Sequence, residues 1–451
     1  MPSWKLYVED YGRIKHAEIE AAPLTLFVGD NNSGKSYLLA LLWGIRNLGT
    51  STFMGEQYLN LRETERVEQR LLKLFDDAKK DKKSAILLEE IADDLELILN
   101  KALESNKGNL VKKIFNSDSV RIGELKIKFI NVNKTCLHCE YNEELRTIHI
   151  FINKGNEFSI SVNFAETGML KKDKMLLWLM IKFVCGSILK ANLFLDDNTD
   201  DNVYLPAART GFMLTKDIIN KYGRNNTFNL VNDKETVTPF IRPINHFLDV
   251  MGDLSLEKKG RKKNMEIADN IESEMAHGTI EFSSMPNKEV MYVPNGYQRG
   301  IPLRVSSAVV TELSPLVLIL KHNKYVNRFF YEEPEMCLHP QLQQKMGKVI
   351  GQIVNNGIEM VVTTHSDIIL QHINNMIKLG NRQDCQQICK KLGYTEDDIL
   401  KSSQIRVYQF NEEDKGKTEV QELMCGENGF CVPTFNDALD RIMDEAYEIQ
   451  G

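Results

Sequence analysis

Residues Gly29-Asp-Asn-Asn-Ser-Gly-Lys35-Ser36 have the types and spacing needed to hold a chain of phosphates. Gly29 and Gly34 let the backbone curl, so that successive N–H groups across Asn31, Asn32 and Ser33 point inward at phosphate oxygens. Lys35 then reaches the outer phosphates and the Ser36 hydroxyl reaches Mg²⁺. An apolar run, Leu24-Thr-Leu-Phe-Val28, precedes the loop and reads as a buried strand. The run that follows, Tyr37-Leu-Leu-Ala-Leu-Leu-Trp43, reads as a helix whose first N–H groups also face the anion. The chain is expected to bind a nucleoside triphosphate.

A second group of chemical residues lies far along the chain. Asn327-Arg-Phe-Phe-Tyr331 is a short apolar strand that ends in Glu332-Glu333-Pro334-Glu335. Carboxylates at the C-terminal end of a buried strand are where an α/β nucleotidase needs them. Glu332 is assigned to the metal, directly or through water, and Glu333 to the base that orients or deprotonates the attacking water. A third strand, Glu359-Met-Val-Val-Thr-Thr364, ends in His365-Ser366-Asp367. A histidine there can hydrogen-bond a γ-phosphate oxygen or the nucleophilic water.

The elements that position these residues are interrupted by insertions. Residues 4–49 read as strands leading to the loop and its helix, with Tyr11-Gly12 at a turn. From Glu56 to Phe115 apolar residues recur at three and four (Leu71, Leu72, Leu74, Phe75; Leu87, Leu88, Ile91, Leu95, Ile98), which predicts helices. Residues 121–164 alternate at period two and predict a β-meander. The segment 212–278 is polar and largely helical, and α/β alternation resumes after it. The expected fold is α/β: a mixed sheet flanked by helices, forming a discontinuous nucleotide-binding head (1–50, 195–211 and 279–451). A helical arm with a β-meander (51–194) and a second helical insertion (212–278) interrupt it.

Composition narrows the classes. At 42% apolar and 26% charged, the chain is an ordinary globular protein. A net charge of -7 rules out a uniformly basic nucleic-acid binder, so any DNA contact must come from a local patch. Two runs qualify, Lys258-Lys-Gly-Arg-Lys-Lys263 and Lys79, Lys80, Lys82 and Lys83. The N-terminal Met1-Pro-Ser-Trp-Lys-Leu-Tyr-Val-Glu-Asp10 carries charges where a secretory signal needs an apolar stretch. Met175–Ile181 is cut by Lys182, too short a run for a membrane span. Eight cysteines without framework spacing fit a reducing compartment, and a cytoplasmic protein is expected. Cys136-Leu-His-Cys139, with His149 downstream, resembles half a zinc site, but no second pair completes it, so free thiols are expected.

Taken together these motifs resemble the ABC-type ATPases of the RecF, SMC and OLD group. Gly29–Ser36 stands as Walker A, Phe329–Glu333 as Walker B and Thr364-His365-Ser366 as the switch histidine motif. Glu332-Glu-Pro-Glu-x-x-Leu-His-Pro340 and Tyr204-Leu-Pro-Ala-Ala-Arg209 are similar to motifs of the OLD-like branch. The resemblance places Val305-Ser306-Ser307-Ala308 as the signature loop. It implies that Ser306 and Ser307 of one subunit complete the ATP site of another, with two chains enclosing two ATP molecules. Two residues depart from the pattern: Ala308 stands where glycine is usual, and Glu332 where aspartate is commoner.

The same resemblance implies ATP and Mg²⁺ as ligands and ATP hydrolysis as the activity. No nuclease activity is expected of the chain alone, since Asp397-Asp398 and Glu412-Glu413-Asp414 read as solvated loop charges. Within the group it is similar to the ATPases of two-gene bacterial anti-phage systems, Septu and PARIS. That implies a partner effector nuclease, of HNH type if Septu-like. A RecF/SMC-like clamp on DNA, or an ATP-binding scaffold with little turnover, are the alternative expectations.

Overall fold

A computed structural model describes residues 3–152, 157–161, 174–190, 201–215, 240–283, 288–413, 416–433 and 443–449. Parts of the expected arm (153–156, 162–173, 191–194), of the expected head (195–200) and of the second insertion (216–239) lie outside the described residues. The chain forms two compact units, Met1–Ala21 with Gly44–Thr199, and Ala22–Trp43 with Asp200–Gly451.

The first unit pairs the strands Ser3–Tyr11 and Ile14–Glu20 as an antiparallel hairpin. Leu6, Val8, Ala17 and Ile19 alternate inward and are fully buried. Helices Arg62–Asp81 and Glu89–Phe115 follow. Between them the structure corrects the expectation that 56–115 is helical throughout, since Lys83–Leu87 is a strand. Lys82, in a left-handed conformation (φ 68°), breaks the first helix, and Leu87 lies on the strand and is 40% exposed. That strand joins Cys136–Asn142, Thr147–Phe151 and Glu157–Ser161 in a four-stranded antiparallel sheet. The first strand of the expected meander, Glu124–Ile130, is not part of it and pairs instead with Ser3–Tyr11. Burial pushes the Cys139 thiol up to about 12, and His138 stacks on Phe151 with ring centroids 5.2 Å apart. Lys82 pairs with Glu143, and Lys83 lies 2.8 Å from Glu140.

The second unit is built on a mixed sheet in the order Thr418–Leu423, Ile405–Glu412, Leu24–Gly29, Glu359–Thr364, Arg328–Glu332, Asn202–Leu205. All neighbours are parallel except the first two strands. Leu24–Gly29 is buried along its whole length, as a central parallel strand covered on both faces must be. Helices Ala308–His322, Pro340–Asn355 and Asp367–Gly380 contribute to the core, with Leu313, Val317, Ile350, Ile373 and Ile377 all fully buried. Pro315 lies inside the first of these helices and cannot donate to Thr311. The Ser314 hydroxyl bonds the Thr311 carbonyl instead, at 2.8 Å. Helices Arg242–Asp253 and Lys262–Ile271 occupy the described part of the second insertion. No helix among the described residues is long and apolar enough to cross a membrane.

Parallel order fixes where chemistry can occur. Because Leu24–Gly29, Glu359–Thr364, Arg328–Glu332 and Asn202–Leu205 run the same way, their C-terminal ends share one edge. Thr364 pairs with Val28 and Glu332 with Thr363, so His365 leaves the sheet between the phosphate loop and Glu333.

Candidate active site

The loop after Leu24–Gly29 takes the conformations its glycines allow. Gly29 (φ 133°), Asn32 (φ 62°) and Gly34 (φ 100°) have positive φ. At Gly29 any side chain would meet the Phe410 carbonyl oxygen at 2.5 Å, so close sheet packing also demands glycine. The helix Lys35–Asn47 begins directly after Gly34, whose carbonyl accepts its first bond, from Leu38 N–H at 3.1 Å. Asn31, Asn32 and Ser36 are exposed, whereas Ser33 and Lys35 are buried. Lys35 Nζ donates to the carbonyls of Gly29 (3.0 Å) and Asp30 (2.5 Å) and to Ser33 Oγ (3.2 Å). Burial lowers its pKa to about 8, although the charges of Glu333, Asp30 and Glu335 pull the other way.

The two glutamates ending the acidic strand have different surroundings. Glu332 is buried and turned toward the neighbouring strand end. Its Oε1 accepts from the Tyr204 hydroxyl at 2.5 Å, and its Oε2 from the Ala207 N–H at 2.8 Å. Each oxygen keeps a lone pair for a further donor or a cation. Glu333 leaves the strand in a left-handed conformation (φ 42°), which costs a non-glycine residue about 1–2 kcal/mol. Its neighbours hold it there: the Glu333 N–H donates to the Thr363 carbonyl at 2.9 Å, and its own carbonyl accepts from Arg209 Nη2 at 3.0 Å. The Glu333 carboxylate lies 3.6 Å from His365 Nε2, and the imidazole holds the Glu333 carboxyl below the usual carboxylate range.

Glu335, one of a run of carboxylates in the sequence, joins the site. Its Oε1 accepts from the His365 N–H at 2.5 Å and its Oε2 from the Thr364 hydroxyl at 3.0 Å. It therefore ties the loop after the acidic strand to the loop that carries His365. Burial raises its carboxyl, against the pull of those bonds. Ser366 caps the helix Asp367–Gly380, its hydroxyl accepting from Ile369 N–H at 3.1 Å. Tyr204, Arg209 and Glu335 were findable only as members of motifs, with no role attached to any of them.

The structure thus brings Lys35, Glu333 and His365 to one sheet edge, with Glu332 beside them. Ser306 and Ser307 stand at the start of the helix Ala308–His322. Ser307 is its N-cap, and Ser306 Oγ donates to the Leu303 carbonyl at 2.7 Å. Ser307 and Ala308 are exposed. A buried ammonium, an exposed hydroxyl on the first helical turn and carboxylates at a strand end on the same sheet edge fit a nucleoside triphosphate with its magnesium ion. Three of the cations in the basic run at 258–263 lie beside carboxylates. Lys259 lies 3.3 Å from Glu257, Lys262 3.9 Å from Glu266 and Lys263 3.7 Å from Asp397. Arg261 donates to the Lys324 carbonyl and to Asn327.

Comparison with known proteins finds that residues 4–370 match the family described as AAA ATPase domain. The chain is 24% identical over 425 residues to Endonuclease GajA of Bacillus cereus (strain HuB5-5). That alignment covers 85% of the chain and 58% of the relative, so the chain spans less than two thirds of its length. Among solved structures, it is similar to an Smc head bound to the C-winged helix domain of ScpA (TM-score 0.38, 12% identity, 93% and 97% of the two chains). It is also similar to the Pyrococcus furiosus Smc head with an extended coiled coil (TM-score 0.39, 13% identity, all of both chains). Both TM-scores are too low for either likeness to bear on function.

Proposed function

This chain belongs to the AAA ATPase domain family, and from that premise we propose that it binds ATP with Mg²⁺ at Gly29–Ser36 and hydrolyses it with Glu333 as the base. The reading rests above all on the placing of Lys35, Glu333 and His365 at the common end of three parallel strands. Lys35 holds the outer phosphates, and the loop N–H groups hold the inner ones. Glu333, kept ionised by its histidine neighbour, accepts the proton of the attacking water. His365 orients that water or the phosphoryl oxygen it attacks. Ser36 and Glu332 are the residues that would hold Mg²⁺, which would supply neutralising charge on the phosphate oxygens. Ser306 and Ser307, at an exposed helix start, are the groups offered to the ATP site of a second copy.

In the cell we propose that this is the cytoplasmic ATPase subunit of a two-component anti-phage complex. ATP-driven closure of a homodimer regulates an effector nuclease carried outside these residues. Alignment with a longer endonuclease supports an ATPase that serves nuclease chemistry. Direct clamping of DNA is the weaker reading, because Lys83, Lys259, Lys262 and Lys263 of the two basic runs each lie beside a carboxylate. The test is to co-express the chain with its neighbouring gene product and weigh the assembly by size-exclusion chromatography with light scattering, with and without ATP. A stoichiometric assembly containing a nuclease is expected. A lone ATP-dependent dimer that binds DNA would overturn the two-component reading in favour of the clamp.

A further inference from the structure

Arg209 has the densest set of polar contacts near the site, and none of them is to a group expected to touch nucleotide. Its guanidinium is fully buried. Nη1 donates to the carbonyls of Pro206 (2.9 Å) and Glu332 (2.5 Å), and Nη2 donates to that of Glu333 (3.0 Å). Nη2 also forms an ion pair with Glu312, whose side chain is equally buried, on the second turn of the helix Ala308–His322. The Thr210 hydroxyl donates to the other Glu312 oxygen at 2.8 Å. The plane of the guanidinium is backed by the Tyr331 ring, 4.7 Å to its centroid. A planar fork with several fixed donors can grip two successive carbonyls and a carboxylate at once, as an ammonium cannot.

We propose that Arg209 is a positioning residue for ATP hydrolysis, a joint that locks the Glu332–Glu333 backbone to the helix beginning at Ser307. The inference rests on the reading of Glu333 as the base. The joint works through three linked contacts. Glu312 lies on the same helix as the Ser307 cap, one turn farther on, so a shift of that helix start moves Glu312. Glu312 is ion-paired to Arg209, and Arg209 holds the carbonyls on either side of the Glu333 nitrogen and α-carbon. The left-handed backbone of Glu333, and the aim of its carboxylate, therefore depend in part on the seating of that helix. A second copy engaging Ser306 and Ser307 would then be reported to the base through main-chain geometry. Contact with the phosphates is not required.

Removing Arg209 alone would strand a buried carboxylate and destabilise the chain strongly. The informative variant is therefore the double change Arg209→Met with Glu312→Met, which removes both buried charges while keeping volume. Arg209→Lys, which keeps a charge opposite Glu312, accompanies it. The measurements are the Kd for ADP with Mg²⁺ and the kcat for phosphate release, with Glu333→Gln measured alongside. For the double variant, kcat is expected to fall roughly tenfold to a hundredfold while the ADP Kd stays within about threefold, as for a misplaced catalytic group. Arg209→Lys should show the same split, reduced in size. Turnover at the parent rate in either variant, or a Kd that weakens in parallel with kcat, overturns the proposal. Parent-rate turnover in Glu333→Gln, or no turnover in the parent, would instead bring down the reading of Glu333 on which it rests.

Discussion

Nucleotide affinity should fall as pH rises from 7 to 9, because the ammonium proposed to bind phosphate is buried. Lys35 has its pKa lowered to about 8 by burial. On the proposed reading the charged form grips phosphate, and it is lost as pH passes upward through that value. With a pKa near 8, roughly ten of every eleven molecules carry the charge at pH 7 and roughly one in eleven at pH 9. If only the charged form binds, the apparent Kd rises about tenfold over that range, about 1.4 kcal/mol. The assay is equilibrium titration of a fluorescent ADP in excess Mg²⁺ at half-unit steps of pH. Of the carboxylates that oppose the burial effect, Glu333 contributes most, so in Glu333→Gln the fall should begin at lower pH. An affinity flat from pH 7 to 9, or one that tightens, would refute the reasoning that a buried Lys35 sets the charge at the phosphates.

Three further expectations concern the scaffold of the site. Tyr204→Phe removes the hydroxyl bonded to the buried Glu332 carboxylate and should lower stability by about 1–3 kcal/mol, read as a shifted denaturation midpoint at unchanged slope. Glu335→Ala takes the acceptor from the His365 N–H and the Thr364 hydroxyl; a loss of about 1–3 kcal/mol and a lower kcat should follow. Gly29→Ala drives a methyl into the Phe410 carbonyl at 2.5 Å in a backbone conformation alanine resists. It should destabilise the fold by about 1–3 kcal/mol and weaken nucleotide binding, whereas parent-like melting would show that the two strands can part.

Which parts were legible in the sequence follows from how far apart the interacting residues lie. The phosphate loop is local: strand, loop and helix are contiguous from Leu24 to Asn47, so its residues state their own geometry. Glu333 and His365 were readable for a related reason, since strand ends in a parallel sheet share an edge whatever their separation in sequence. The bonds that aim those groups join residues far apart along the chain, Tyr204 to Glu332 and Arg209 to Glu312. No periodicity announces such pairs. The strand Lys83–Leu87 was hidden because Lys-Ser-Ala-Ile-Leu continues the charged and apolar rhythm of the helix before it, with no glycine or proline as a break. For Glu124–Ile130 the alternation showed a strand but could not name its partner, which lies near the start of the chain. The basic runs looked available for DNA because the carboxylates facing them, Glu140, Glu143 and Asp397 among them, come from other segments.

The most direct test is steady-state phosphate release from Mg²⁺-ATP by the purified chain, with Glu333→Gln beside it and ATP binding measured in both. The account predicts turnover in the parent and a fall of about a hundredfold or more in the variant, which still binds ATP, as expected on losing a general base. Equal turnover in the two proteins would contradict it, because Glu333 would then not be the group that activates the water.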